Sequence, residues 1–361
     1  MKITLPIEEG YFHITPCTFC EVDSYIITPE IDAKWNTNNL YFRSLITDKD
    51  GNVLSSGWPK FFNVGEKSDL YPDPNTFKDW IIQDKLDGSL LIADYVNDMF
   101  SMRTRGTPSY TKQENAKDFE LLLVKYPKVV EYLKNNNHLS LLFEIVTPNN
   151  VIVIRPKDIE FYFLGAVDKN TLKVLSSYEL VEVWRSIGCV PMPQTYRMDN
   201  LQDVLCIAKL VKDWKGKEGV VLCYNNNQSR VKIKSDWYCF IHRVKSQLNS
   251  EDNLIDYFID SGTPLKEEFY KKIETEFDFE IAKQLEDQIS KITNAWSEVL
   301  KSLDSVKDFI HSIRGFKTRK EQAQCILTTY KNCNKAPLAF SVLDNKEITR
   351  VQYIKLLKQF L

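Results

Sequence analysis

Long apolar runs are missing from this 361-residue chain: none reaches the roughly 18 consecutive apolar residues that a membrane-spanning helix requires. Its opening, MKITLPIEEG, lacks the basic flank and apolar stretch of a secretory leader, so a soluble, cytoplasmic protein is expected. Positive charge is not in excess either. Lys and Arg total 47 against 49 Asp and Glu, a net charge of −2, which excludes a uniformly basic coat for nucleic acid. Any nucleic acid must then be held by local clusters. Internal repeats and low-complexity segments are lacking. Among eight cysteines, Cys17-Thr18-Phe19-Cys20 near His13 has a metal-like spacing, but no second C-x-x-C or H-x-H completes the four ligands of a structural zinc. Reduced thiols are therefore expected, with Cys189, Cys206, Cys223, Cys239 and Cys325 as small buried hydrophobes in apolar surroundings.

What is present divides at about residue 245. Residues 1–80 alternate short apolar runs with turn signals, including Asp48-Lys49-Asp50-Gly51-Asn52 between two apolar pairs, a hairpin signature. Strand patterns follow at 80–83, 90–96, 99–104, 140–146, 151–154, 160–167, 219–224 and 230–234, with helical periodicity at 113–135, 177–187 and 200–212. This reads as an α+β domain, residues 1–245, with antiparallel sheets. From 246 to 361 the strand signals stop. Ile281, Leu285, Ile289, Ile292, Trp296, Val299, Leu303, Val306, Ile310 and Ile313 fall on one helical face, which predicts an all-helical C-terminal domain.

The chemistry-bearing residues are arranged in order along the first domain. Arg43 and Trp58-Pro59-Lys60-Phe61-Phe62-Asn63 precede Lys85-Leu86-Asp87-Gly88-Ser89; Phe143-Glu144-Ile145, Glu218-Gly219-Val220-Val221 and Val231-Lys232-Ile233-Lys234-Ser235-Asp236-Trp237-Tyr238 follow. Lys232 and Lys234 have period-2 spacing, so on a strand they project from one face, with Ile233 on the other. Glu144 and Glu218 each border a strongly apolar strand, where an unpaired carboxylate is costly.

A K-x-D-G element, an isolated Glu, an E-G pair and a K-x-K strand in this order resemble the covalent nucleotidyltransferases, the superfamily of ligases and mRNA capping enzymes. Lys-Ile-Lys-Ser-Asp-Trp-Tyr, Lys-Phe-Phe-Asn and Lys-x-Asp-Gly-Ser-Leu are most similar to the phage-type RNA ligase 1 family, over about residues 35 to 250. The resemblance implies a nucleotidyltransferase domain whose sheets surround a nucleotide cleft. It implies ATP as donor and Mg2+ as metal, with Mn2+ a substitute. Lys85 would be the nucleophile that takes AMP. Lys232, Lys234 and the metal would make its amine more nucleophilic. Asp87, Glu144 and Glu218 would hold the metal through water. Arg43 and Lys60 would contact the triphosphate, with Glu144, Lys232, Lys234 and Tyr238 completing the ATP site. Arg103 and Arg105, sharing a strand face, would contact nucleotide phosphates or RNA, and Tyr162, Phe163, Val220 and Val221 would sandwich the base.

The implied reaction joins RNA 3′-OH and 5′-phosphate ends through lysyl-adenylate and RNA-adenylate, as in RNA repair. Its partner is RNA with single-stranded ends or a nicked stem-loop such as tRNA. A capping guanylyltransferase or DNA ligase would follow the K-x-K strand with an OB-fold, where this chain has helical periodicity. A catalytically idle nucleotide-binding factor would not need Lys85. One departure stands out. The family's acidic pair early in the helical domain, associated with a second metal, is replaced by Asp260-Ser261-Gly262-Thr263-Pro264-Leu265, so that either Asp260 or Glu267 substitutes or the second metal is held differently.

Overall fold

Alternating buried and open positions build three sheets in the chain up to residue 239. The computed structural model describes residues 1–6, 11–248, 250–277, 279–315, 318–331 and 335–361, the side chains at 112, 246, 247, 279 and 280 excepted. Two compact units are present, Met1–Cys239 and Phe240–Leu361. The first is a mixed α/β unit with antiparallel sheets. Its boundary falls inside a helix, ahead of the division expected at 245.

The first sheet is an antiparallel meander of β1 (Phe12–Phe19), β2 (Val22–Pro29), β3 (Leu45–Asp48) and β4 (Val53–Ser56). Its β3–β4 turn is the one marked by Asp48 to Asn52. The Asp48 carboxylate accepts the backbone N–H groups of Asp50 and Asn52, an Asx arrangement that mimics a backbone turn. Next in the chain come β5 (Phe62–Asn63), β6 (Trp80–Lys85), β7 (Ser89–Val96), β8 (Met99–Arg103), β9 (Leu139–Val146), β10 (Glu160–Asp168), β11 (Thr195–Met198), β12 (Gly219–Tyr224) and β13 (Ser229–Lys234). The second sheet has the order β10-β9-β7-β8. The third has the order β11-β6-β12-β13-β5, antiparallel except between β13 and β5.

Four helices accompany these strands: α1 (Ala116–Lys125), α2 (Lys128–Asn135), α3 (Ser177–Ser186) and α4 (Leu201–Lys212). The helical stretch expected over 113–135 is two helices because Pro127 has no N–H to continue the ladder. The strand expected at 151–154 does not form. The backbone N–H groups of Val153 and Ile154 instead donate to the Asp87 carboxylate, so a side chain replaces a ladder partner.

Parity places the functional face. Ile82, Val220, Leu222 and Ile233 of the third sheet are buried against Val204 and Val211 of α4. Their odd-even neighbours Gln83, Lys85, Val221, Lys232 and Lys234 must then project from the opposite face. Each fully buried aliphatic contributes about 1.5–3 kcal/mol, and a one-residue slip would invert the whole set, so the register is strongly specified. Of the five cysteines expected to be buried, only Cys223 is. Cys189 and Cys206 are exposed, and Cys239 and Cys325 are half-buried. Cys206 lies two residues from buried Val204 and so on the other side of α4.

Helix α5 (Asp236–Leu248) crosses the boundary, and α6 (Glu251–Ser261), α7 (Lys266–Glu276), α8 (Phe279–Gln284), α9 (Glu286–Ile313), α10 (Arg319–Thr329), α11 (Lys335–Leu343) and α12 (Arg350–Leu357) complete the second unit. The apolar stripe forms its core: Ile289, Ile292, Val299, Leu303, Val306, Ile310 and Ile313 of the 28-residue α9 are all buried. Asp260 is not an open ligand. Its carboxylate accepts from Arg350 Nε at 2.9 Å, in a pair that Asp256 shares.

Arg103 requires the largest correction. It is 0% exposed, and its guanidinium donates to Ser55 Oγ at 2.6 Å, Ser44 Oγ at 2.8 Å and the Ser44 carbonyl at 3.2 Å. Ser55 in turn donates to the buried Asp94, which Lys169 approaches at 3.6 Å. β8 ends at Arg103, so Arg103 and Arg105 do not share a strand face. The first ties β8 to the meander sheet and is unavailable to RNA. Arg103→Met, which leaves these acceptors unpaired, is expected to lower unfolding free energy by about 3 kcal/mol in urea titration.

Candidate active site

Hydrogen-bonded register sets the site's side chains in rows across β6, β12 and β13. Lys85 pairs with Gly219, which pairs with Lys234; Gln83 pairs with Val221, which pairs with Lys232. In the first row the middle position has no side chain. Gly219 sits at φ +148, and a Cβ there would lie 2.0 Å from the Ile233 carbonyl oxygen. Lys85 and Lys234 therefore flank an open gap, into which the preceding residue, Glu218, sends its carboxylate. Its Oε1 accepts from Lys85 Nζ at 2.8 Å and Lys234 Nζ at 2.9 Å, and the side chain is only 3% exposed. Lys234, expected with Lys232 and the metal to activate the nucleophile, is itself paired with Glu218.

These residues open on a cleft of about 520 Å³ that Arg43, Lys85, Arg105, Glu144, Lys232 and Lys234 share. Arg43 is held 5.2 Å over the Phe61 ring, and Lys232 lies 5.9 Å from the same ring. Burial and then neighbouring Arg43, Lys234, Lys60 and Lys85 push the Lys232 ammonium down to about 8. Burial, followed by Arg105, pushes Arg43 down to about 10. Lys60 does not line the cleft. Its Nζ lies 5.5 Å over Trp35 and 5.1 Å over Phe62, lowered by burial and by Arg43 and Arg105. These cations repel one another and are only partly matched by acids, so the arrangement favours a polyanion in the cleft.

Glu144 supplies the opposite charge. Desolvation pushes its carboxyl up to about 7, against Lys85, which lowers it. Among the described residues none donates a hydrogen bond to it. A half-buried carboxylate without donors fits a hydrated divalent cation or a sugar hydroxyl.

Three assignments move. Asp87, 8% exposed, is occupied: Oδ2 accepts from Val153 N at 2.8 Å and Ile154 N at 2.6 Å, and Oδ1 accepts from the Tyr238 hydroxyl at 2.6 Å. It lines a smaller cavity of about 200 Å³ beside Tyr162 and Glu218, which adjoins the main cleft at Lys85. Tyr238 spends its hydroxyl on Asp87 and its ring on Lys234, 4.8 Å away, so it braces the site and does not line the cleft. Of the four residues expected around a base, Phe163 and Val220 are core, while Val221 reaches the cleft. Adjacent strand residues point to opposite faces, so the two members of each pair could not both serve. A bulge after Phe163 turns Leu164 into the cleft. Sequence reasoning missed Gln83, Leu164 and Arg230; the period-2 rule extended from Lys85 and Lys232 would have found Gln83 and Arg230.

A family model described as RNA ligase, of the phage ligase 1 type, matches residues 41–239. A protein of Thermovibrio ammonificans named "Putative RNA ligase" is 24% identical over 227 residues, 60% of this chain and 56% of its own length. The chain thus spans just over half the length of that curated relative. Among solved structures, a mutant Naegleria gruberi RNA ligase with ATP and Mn has a TM-score of 0.37 at 20% identity, covering 47% of this chain and 52% of the other. An archaeal ATP-dependent RNA ligase has a TM-score of 0.45 at 13% identity, covering 82% and 76%.

Glu144 yields a pH prediction. With the folded carboxyl near 7 and the unfolded one at 4.5, the native state between these values holds a proton that the unfolded chain has released. Stability must then fall as pH rises through that window. Glu144→Gln should lack this decline, gaining on the parent between pH 4.5 and 8 in metal-free urea titrations. Parallel pH profiles for the two proteins would contradict it.

Proposed function

The chain belongs to the RNA ligase family, and from that premise we propose that it seals RNA 3′-OH and 5′-phosphate ends with ATP, through Lys85-adenylate and RNA-adenylate. The observation that carries the reading is the Lys85 amine at the cleft, 2.8 Å from a carboxylate and facing a cluster of cations suited to a triphosphate.

In the first step the Lys85 Nζ lone pair attacks the α-phosphorus. A P–N bond forms, the bond to the β-phosphate's bridging oxygen breaks, and pyrophosphate leaves with the electron pair. The ammonium must first shed a proton, and Glu218 Oε1 is the acceptor in contact. Lys232, Arg43 and Arg105 stabilise charge on the phosphates, with Lys60 behind them. In the second step an oxygen of the RNA 5′-phosphate displaces the lysine, which regains its proton. In the third the 3′-OH attacks that 5′-phosphorus and AMP departs.

Glu144, with Glu218 beside it, fits the hydrated Mg2+ this chemistry uses, Mn2+ substituting; the ion would neutralise phosphate charge. Asp87 contributes by holding the segment at 153–154 and Tyr238 in place. The helical unit from Phe240 onward would select the RNA, single-stranded ends or a nicked stem-loop such as tRNA. With Asp260 paired to Arg350, Glu267 is the remaining acidic candidate there for a second metal.

Incubation with α-labelled ATP and Mg2+, then a denaturing gel, should give a labelled protein. Lys85→Ala and Lys85→Arg should both lose the label, since alanine has no amine and a guanidinium stays protonated. Preferential labelling by GTP would move the assignment to capping. Lys232→Met should depress labelling by roughly 10²-fold, the size of one preorganised contact, while sealing of pre-adenylated RNA suffers less. Equal loss in both steps would remove Lys232 from the triphosphate.

A further inference from the structure

The face of β13 that carries Lys232 and Lys234 carries a third basic residue by the same alternation, Arg230. Its row is Ile81, Cys223, Arg230, two rows along from Lys85. Arg230 is 7% exposed, and its guanidinium stacks on the Trp58 indole at 3.8 Å. That approach depends on Gly165, where a Cβ would meet Trp58 at 2.6 Å.

The guanidinium is also pinned from the other side. Nη2 donates to Asn227 Oδ1 at 2.6 Å, and Asn227 Nδ2 donates to the Leu175 carbonyl at 2.8 Å. Asn227 closes three successive left-handed residues, Asn225, Asn226 and Asn227, with φ of 53°, 51° and 69°. Asparagine tolerates this region better than most residues, but a run of three is a strained way to turn a hairpin. The strain aims the Asn227 amide at Arg230.

What remains of Arg230 is unspent. No carboxylate among the described residues pairs with it, and burial lowers its pKa with only Cys223 opposing. Nε is enclosed without a partner. Nη1 makes no hydrogen bond with a described residue and is not enclosed, so it presents an open donor. Arg230 lines the nucleotide cleft and a neighbouring cavity of about 350 Å³, as do Gln83 and Pro193. A buried cation held rigidly with one free N–H edge is costly unless a ligand supplies an acceptor.

Position decides which acceptor. Arg230 stands four residues from Lys234 along β13, roughly 13 Å at about 3.3 Å per residue. That span suits a nucleoside between a phosphate at the lysines and a ring edge at Arg230. The intervening wall is Val221, Leu164 and Leu90, an apolar surface for a ring face. We propose that Arg230 is a specificity-determining residue that donates from Nη1 to a ring nitrogen of the purine, with Trp58 and Asn227 as positioning residues. The inference rests on the cleft being the nucleotide site.

Affinity for ATP and for 1-deaza-, 3-deaza- and 7-deaza-ATP, measured by calorimetry on the full chain with Mg2+, tests it independently of covalent chemistry. The parent protein should bind one analogue roughly ten- to a hundred-fold more weakly than ATP, the size of one hydrogen bond from a charged donor. Arg230→Met should bind ATP and that analogue equally, and Asn227→Ala should narrow the gap. If Arg230→Met fails to fold, the parent series still decides, because equal affinity for all four nucleotides overturns the proposal. Discrimination that persists in a folded Arg230→Met overturns it as well. Discrimination without Lys85 labelling refutes the ligase reading alone; labelling without discrimination refutes this inference alone. Failure to bind ATP refutes both.

Discussion

One carboxylate held between two ammonium groups organises the site. Glu218 reaches Lys85 and Lys234 from a position where the intervening residue, Gly219, has no side chain, and its contacts require β6, β12 and β13 to keep their register. A one-residue shift of β6 would turn Lys85, and one of β13 would turn Lys232 and Lys234, to the α4 side of the sheet, while a shift of β12 would carry Glu218 away from both partners. An isolated buried charge would be prohibitively costly, and this three-membered arrangement leaves none unpaired. The core beneath, with Ile82, Val220 and Ile233 packed on α4, holds the backbone rigid enough to maintain it.

The rest of the cleft departs from that economy. Arg43, Lys60 and Lys232 crowd one another in partial burial, and their pKa values fall because burial desolvates them and neighbouring cations repel them. Glu144 is strained in the opposite sense, raised to about 7 by desolvation. Such groups lower folding stability at neutral pH. They are also preoriented for a polyanion and a cation, so the cost of arranging dipoles and charges is met during folding and not at the moment of reaction. Arg103 shows the contrast: more deeply buried, it is hydrogen-bonded through all three guanidinium nitrogens and serves structure alone.

Much of the fold was legible because it follows from local rules. Most strands, the hairpin at Asp48 to Asn52 and the apolar stripe of α9 arise from periodicity and turn chemistry. The misses came where a distant partner intervened. Residues 151–154 read as a strand, but Asp87 captures their amides from 66 and 67 positions away in sequence. Arg103 and Arg105 read as a pair, but the strand ends between them. The two-residue strand β5 and the four-residue β11 are too short to carry a pattern, and pairing alone defines them.

The order and chemistry of Lys85, Glu144, Glu218, Lys232 and Lys234, and the face shared by the last two, were determined by sequence, because motif spacing and two-residue alternation are properties of the chain itself. Tertiary structure alone decided which charges meet. It spent Asp87 on Tyr238 and two backbone amides, removed Arg103 from the cleft, and set Arg230 against Trp58 beside Asn227. Hydrogen bonds and desolvation depend on neighbours brought together from remote positions, and no local pattern records which neighbour arrives first.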